Sequence, residues 1–355
     1  MERIQNFRKL MNLQGNQAVL IEKPSNMYYL AGFTGEGMLL ILPDEVQVFT
    51  DSRYTEQTQK EAPECTVLEI GGGKSFYHLL KEAGDAKGIQ EVFFENDFVT
   101  VSNYQKMTEM LGGVTFSPVK GVPEKMRLVK DASEIAAMRQ AGDISCRAFE
   151  YILGEIAPGI SEREIRQKLE NKMFELGAEK LAFSTIVASG PNGSLPHAVP
   201  TERRIEKGDL ITLDFGANYN HYCSDMTRTI AVGKPSAQLE EVYNIVLEAH
   251  LTAAKALAPG KTCQSIDQIA RDIIEKAGYG ANFGHGLGHG VGIDIHEDPR
   301  LSARSTDVLQ AGHVVTVEPG IYLPGIGGVR IENTCLITET GSESFIWAKR
   351  NLIIL

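Results

Sequence analysis

The stretch Gly208-Asp-Leu-Ile-Thr-Leu-Asp214 returns further along the chain as Gly312-His-Val-Val-Thr-Val-Glu318. In both, a glycine opens a run of β-forming residues that closes on an acid. Asp225-Met-Thr227 returns in the same way as Glu332-Asn-Thr334. Working outward, the linkers Ala157-Pro-Gly159 and Ala258-Pro-Gly260 also match, and each precedes a helix. The first helix opens on the capping box Ser161-Glu-Arg-Glu164, continues with Ile165, Leu169 and Met173 on one face, and stops at Gly177. The second is expected to open at Ser265 and Gln268, to carry Ile266, Ile269 and Ile273, and to stop at Gly278. A further capping box, Asp131 with Glu134, starts a helix bearing Ile135, Met138, Phe149 and Ile152. The repeat thus spans helix, linker, helix and strands, about a hundred residues per copy. A unit repeated only once gives a pseudo-twofold domain, because stacked arrays need about three or more units.

Alternate residues of a strand share a face. Thr212 and Asp214 therefore point one way, and Ile211, Leu213 and Phe215 the other. Asp225, Thr227 and Thr229 share a face of the next strand, reached through the turn-prone Asn218-Tyr-Asn220. The second copy repeats this with Thr316 and Glu318, then Arg330, Glu332 and Thr334, joined across Gly325, Gly327 and Gly328. If the two ribbons form one curved sheet, the four acids converge at its centre. Convergent carboxylates repel unless protonated or neutralised by cations. Two divalent ions resolve that repulsion. Oxygen donors with one imidazole suit Mn²⁺, with Co²⁺, Zn²⁺ and Fe²⁺ as further candidates.

The imidazole is supplied by Gly284-His-Gly-Leu-Gly-His-Gly-Val-Gly292, where His285 and His289 stand among glycines that permit close backbone approach. His296, in Asp294-Ile-His-Glu-Asp-Pro-Arg300, and His197, in Leu195-Pro-His-Ala-Val-Pro200, occupy roughly corresponding places in the two copies. That pairing favours a catalytic role over two incidental loop histidines.

The first third of the chain alternates strand-like runs (Ala18 to Ile21, Met38 to Leu42, Val46 to Phe49, Thr66 to Ile70, Glu91 to Phe94) with helical segments near residues 2–13, 53–61, 74–83 and 100–111. This argues for an α/β domain. The turn-prone stretch from Ser117 to Lys130 is the expected boundary. At 355 residues two domains are the natural prior, and a formal charge of −11 disfavours attraction to nucleic acid or anionic membranes. Five scattered cysteines without a CxxC pair, no apparent signal peptide and no apolar run long enough for a bilayer lead to the expectation of a soluble, cytoplasmic protein. Gly71-Gly-Gly-Lys-Ser75 is not a phosphate loop, since Leu68 stands where that motif needs glycine; neither H-E-x-x-H nor G-x-S-x-G occurs.

Leu213-Asp-Phe-Gly216, Tyr222-Cys-Ser-Asp225 through Arg228, Gly288-His-Gly-Val-Gly292 through His296-Glu297, Val317-Glu-Pro-Gly320 and Gly328-Val-Arg-Ile-Glu332 resemble the motifs of the pita-bread metallopeptidases. Within that family they are similar to the proline-selective branch, which contains prolidase (Xaa-Pro dipeptidase) and aminopeptidase P. Asp51-Ser-Arg-Tyr54 adds a weaker likeness, and the resemblance covers essentially the whole chain. It implies a creatinase/prolidase-like N-terminal α/β domain over residues 1–125. Residues 126–355 would form an α+β pita-bread catalytic domain with an internal pseudo-twofold repeat. A homodimer is implied, as is an N-terminal domain that restricts access to the site.

The same resemblance makes Asp214, Asp225, His289, Glu318 and Glu332 the ligands of two divalent ions per subunit, most readily Mn²⁺. Asp225 and Glu332 would bridge both ions, Asp214 would hold one, and His289 and Glu318 the other. A water shared by the ions would become the nucleophile. Glu318 would take its proton, and His296 would help stabilise the oxyanion with His197 close to the scissile bond. His285 would line the substrate pocket, with Tyr322 and Arg330 supporting the ligands. Arg300 resembles an arginine that meets the free carboxylate in some prolidases, which leans the expectation towards proline-containing dipeptides over longer peptides. The five intact ligand positions argue against a metal-free relative such as creatinase and against a silent binding protein. The additional N-terminal domain argues against methionine aminopeptidase.

Overall fold

The computed structural model describes residues 2–355. The chain divides into two compact units, one ending at Arg127 and one beginning at Leu128. The first is built on a mixed six-stranded sheet of β1 (Gln17–Ile21), β2 (Met38–Ile41), β3 (Val46–Thr50), β4 (Thr66–Glu69), β5 (Glu91–Phe94) and β6 (Thr115–Pro118), in the order β4-β3-β2-β1-β5-β6. Its helices are α1 (Glu2–Met11), α2 (Pro24–Ala31), α3 (Thr55–Glu61), α4 (Phe76–Lys87), α5 (Val101–Met110) and α6 (Val122–Arg127). Ala18, Leu20 and Leu40 pack on one face of the sheet with Leu80 and Met107 of α4 and α5. Val19, Ile21, Leu39 and Ile41 on the other face are equally buried. The unbroken apolar runs of the central strands follow from this covering of both faces.

Three of these elements were not expected from the sequence. The helix α2 opens on Pro24, whose missing N–H costs no bond in a first turn, and closes on Gly32 at φ +77°. Pro123 occupies the first turn of α6, so a stretch that looked turn-prone is helical. The third is β6, which reaches Pro118 at a sheet edge, where proline is tolerated. Among the described residues, no helix is long and apolar enough to cross a membrane.

The second unit contains two similar halves. The first runs through α7 (Ala132–Leu153), α8 (Glu162–Glu175), β7 (Lys180–Leu181), β8 (Ile186–Ser189), β9 (Leu210–Phe215), β10 (Ala217–Tyr219), β11 (Tyr222–Cys223) and β12 (Met226–Ala231). The second runs through α9 (Ala237–Ala256), α10 (Cys263–Lys276), β13 (Gly288–Gly290), β14 (Glu297–Leu301), β15 (Val314–Val317), β16 (Gly320–Leu323), β17 (Gly327–Arg330), β18 (Asn333–Ile337) and β19 (Ser342–Ser344). Each half lays a helix pair on its own sheet. Phe149, Ile165 and Leu169 pack with Leu213 and Phe215, while Val246, Ile266 and Ala270 pack with Val315 and Val317. The capping boxes at Asp131 and Ser161 are present. In α10 the cap is Thr262 rather than Ser265, its hydroxyl accepting the Ser265 N–H at 3.2 Å. The sequence favoured Ser265 because a glutamine follows at the box position, yet a lone threonine suffices.

The ribbons do not merge into one backbone-bonded sheet, as the sequence reading envisaged. Strands β12-β9-β8 form one sheet and β14-β13-β15-β18-β19 another. Among the described residues, the seam between these two sheets has one main-chain bond, Glu332 N–H to Thr227 O at 3.1 Å. Threonines complete it. The Thr334 hydroxyl accepts from Asp225 N–H and donates to Asp225 O, and Thr229 does the same with Arg330.

Arg228 closes the seam from behind. It is fully buried and donates to the carbonyls of Thr227, Glu332, Ala348 and Lys349 and to Asn333 Oδ1. Burial pulls its pKa down to about 10, which leaves it charged at neutral pH. Its planar fork of five donors meets acceptors from both halves and from the C-terminal segment. Arg228→Met is expected to lower stability by on the order of 3–5 kcal/mol, because a cluster of buried acceptors loses its donors. Urea denaturation measures this, and a loss below about 1 kcal/mol would contradict the role given to the seam.

Candidate metal centre

The register of β9 against β12 sets Asp214 opposite Thr227, and Asp225 stands one residue before β12. In the other half, Glu318 directly follows β15 and Glu332 directly precedes β18. His289 is the central residue of β13, which lies between β14 and β15. Close packing there requires glycine on both sides of the histidine. A Cβ on Gly288 would fall 2.1 Å from Thr316 O, and one on Gly290 2.1 Å from Asp298 O. The His289 N–H is tied to the Thr316 hydroxyl at 3.1 Å. Only Asp214 and His289 lie within strands; the other three donors sit one residue beyond strand ends.

These side chains converge. His289 Nε2 is 3.6 Å from Asp225 Oδ2 and 3.6 Å from Glu318 Oε1. Donor atoms of Asp225, His289 and Glu332 all lie within 4.8 Å of one another. Such spacings are too long for hydrogen bonds but suit donors each about 2.1 Å from a common cation. Among the described residues, Arg330 is the one guanidinium bonded to these acids, meeting Asp214 Oδ2 at 2.5 Å, the Thr227 hydroxyl and Tyr322. Thr227 in turn donates to Glu332 Oε2 at 2.7 Å. Even so, Asp214 Oδ1 and Glu332 Oε1 are buried with no partner.

The electrostatics express the same shortage of positive charge. Burial, then Glu332, Asp214 and Glu318, hold the Asp225 carboxyl well above its ordinary range. Burial and Glu332 do the same to Glu318, against the pull of Arg330. Glu332 is pushed up to about 8 by burial and Asp214, with Thr227 and Arg330 opposing. Burial lowers His289 to about 4, so its imidazole is neutral. Its Nδ1 faces Gly290 O at 3.0 Å, which assigns the proton to Nδ1 and leaves the Nε2 lone pair towards the acids. Orphaned oxygens, hard donors and one neutral imidazole are a donor set that fits divalent cations.

All of the side chains singled out from the sequence border one cavity of about 760 Å³ in the second unit. His197, His296 and Arg300 are exposed on its rim, with the His296 ring edge-on to His289 at 4.5 Å. Burial, then Arg300 and His197, lower the His296 pKa, so this ring is also neutral at pH 7. His285 is tied to Tyr322 OH at 2.9 Å, which extends the line from Asp214 through Arg330 and Tyr322.

Three supports escaped sequence reading. Lys130 and Glu297 form an ion pair at 3.1 Å with side chains 1% and 8% exposed, fixing the residue after His296. Asp267, buried on the inner face of α10, pairs with Arg271 and accepts from Leu287 N–H at 2.9 Å. Arg271 also holds His285 O at 2.5 Å. An acid and a base four apart on a helix gave a signal for the second of these. For Lys130, and for Arg228, nothing local did.

A buried nest of acids bordering a cavity of about 760 Å³ is a donor set that fits divalent cations, and the comparisons give the family. Residues 136–339 match the model of metallopeptidase family M24, and residues 3–129 that of the creatinase/prolidase N-terminal domain. A Xaa-Pro dipeptidase of Pyrococcus furiosus is 40% identical over 354 residues, 99% of either chain. Among solved structures, a Xaa-Pro dipeptidase from Bacillus anthracis superposes with a TM-score of 0.96 at 44% identity, covering 100% of this chain and 99% of that one. An X-Pro aminopeptidase from Thermotoga maritima gives 0.91 at 39% identity, covering 98% and 100%. The chain belongs to metallopeptidase family M24. It is a metallopeptidase with the pita-bread fold, and the family implies divalent metal ions.

A raised carboxyl pKa has a consequence for stability. Glu332 stabilises the cation-free fold while protonated, and that contribution is lost as pH rises from its ordinary 4.5 through about 8. Divalent ions held by the ionised acids would offset the loss. The Tm difference between samples with and without excess Mn²⁺ should therefore widen by several degrees from about pH 5 to about pH 8. Thermal scans across that range check it, and a constant or shrinking gap would contradict it.

Proposed function

We propose that this protein hydrolyses the bond between an N-terminal residue and proline, with Xaa-Pro dipeptides as its main substrates. The observation that carries the reading is the acid nest bordering one cavity with His197, His296 and Arg300, in a chain about 40% identical to proteins named as Xaa-Pro dipeptidases. Asp214, Asp225, His289, Glu318 and Glu332 would hold two divalent ions, with Asp225 and Glu332 shared between them. Mn²⁺ suits the oxygen-rich donor set best. The chemistry such a pair supplies is Lewis acidity, which brings the pKa of water towards neutrality.

The remaining steps belong to the side chains. Glu318, 18% exposed towards the cavity, accepts the proton of the attacking water and returns it to the departing proline nitrogen. His296, neutral and on the rim, donates to the carbonyl oxygen as it gains charge, and His197 flanks the scissile bond. Arg330 and Tyr322 keep Asp214 from turning away, with His285 behind them. Arg300 has no hydrogen-bond or ion-pair partner among the described residues, and its fork suits the free carboxylate of a dipeptide. Proline locks φ and removes the amide proton, so its bond needs a site of its own. Five free cysteines support a reducing, cytoplasmic setting. A homodimer belongs to the same reading.

The likeness to an X-Pro aminopeptidase favours a second reading, in which longer peptides are trimmed. Purified protein reconstituted with Mn²⁺ should cleave Xaa-Pro dipeptides with kcat/KM at least roughly tenfold above that for Xaa-Pro-Xaa. A preference for the tripeptide would transfer the assignment to the aminopeptidase reading, and no cleavage of any Xaa-Pro peptide would overturn both. Asp225→Asn should lower kcat by about 10²-fold or more and reduce bound metal. Near-normal turnover with full metal content, measured by atomic emission, would remove Asp225 from the ligand set.

A further inference from the structure

Three guanidiniums border the cavity, and only Arg330 is committed to an acid inside it. Arg300 is assigned above to the substrate carboxylate. The third is Arg166, on α8 in the first half of the repeat, which no motif points to. Its Nε is buried without a hydrogen-bond partner. The nearest carboxylate, Glu170 one turn along the helix, is 3.8 Å away, beyond hydrogen-bond length. The same cavity is lined by Thr185, 2% exposed, whose hydroxyl has no hydrogen-bond partner among the described residues. Thr185 directly precedes β8, the strand paired with β9 so that Ile186 faces Asp214 in register. A partly exposed guanidinium held only by a long ion pair to Glu170, its Nε unbonded, and a buried hydroxyl without an acceptor, both lining this cavity, are donors suited to an anion.

We propose that Arg166, with Thr185, is a second carboxylate receptor that selects substrates with an acidic N-terminal residue. The inference rests on the Xaa-Pro reading. The α-amine of a dipeptide is drawn to the acid nest and its α-carboxylate to Arg300. The one anion such a substrate can still offer is the side chain of Asp or Glu in first position. In a longer peptide the displaced C-terminal carboxylate is the other source of the same chemistry.

The test compares Glu-Pro with its neutral isostere Gln-Pro and with Ala-Pro, in the Mn²⁺-loaded wild type, Arg166→Gln and Thr185→Val. Glutamine is a good helix former and valine matches threonine in shape, so both variants should fold. The wild type should favour Glu-Pro over Gln-Pro by roughly tenfold in kcat/KM, mainly through KM. Arg166→Gln should erase that preference while leaving Ala-Pro unchanged, and Thr185→Val should reduce it. A parallel arm sets Gln-Pro-Ala against its C-terminal amide. Loss confined to the tripeptide acid would keep Arg166 as a carboxylate receptor but overturn the selection of acidic N-terminal residues. Equal effects on charged and neutral substrates in both arms would overturn the receptor as well. Calorimetric binding of Glu-Pro and Gln-Pro to cation-depleted protein repeats the comparison without turnover. If the wild type cleaves no Xaa-Pro peptide, the parent reading fails, and the calorimetry still decides whether Arg166 reads a carboxylate.

Discussion

Four carboxylates gathered on the lining of one cavity, three of them buried, cannot all readily ionise on their own. One guanidinium, that of Arg330, stands against them, and two of their oxygens have no partner. The strain is visible in the raised pKa values of Asp225, Glu318 and Glu332. Such an arrangement fits the divalent ions that the metallopeptidase family implies. The Nδ1 contact of His289 with Gly290 O, the line from Arg330 through Tyr322 to His285 and the glycines flanking His289 hold these side chains in place.

The repeat explains how one chain gathers acids from distant positions. Each half offers an acid closing one strand and another opening the next, and the two sets meet where the sheets abut. The meeting edge has little main-chain bonding, so threonine hydroxyls and the buried Arg228 substitute for a continuous ladder. Asp214 lies on the middle strand of its sheet and Glu318 follows the middle strand of the other, while Asp225 and Glu332 stand just before β12 and β18. All four border the same cavity.

Much of this was legible in the chain. The acids stood out because Asp and Glu interrupt apolar strands in matching positions, and the capping boxes at Asp131 and Ser161 follow from local chemistry. What escaped was set by tertiary partners. Lys130 reads as a surface lysine in a turn-prone stretch until Glu297, far along the chain, takes it out of water. Arg228 sits in a strand as any exposed arginine might, and its five acceptors come from three separate segments. Helix α2 lacked an apolar period, and its identity rests on Pro24 and Gly32 at its two ends. Arg166 carried no signal at all in the sequence, since an arginine four residues before a glutamate is an ordinary helical pair.

The most direct measurement is anomalous diffraction at the manganese edge from crystals equilibrated with Mn²⁺. The account predicts two peaks about 3.5–4 Å apart, enclosed by Asp214, Asp225, His289, Glu318 and Glu332. A map with no anomalous density among those five side chains, at saturating manganese, would contradict it.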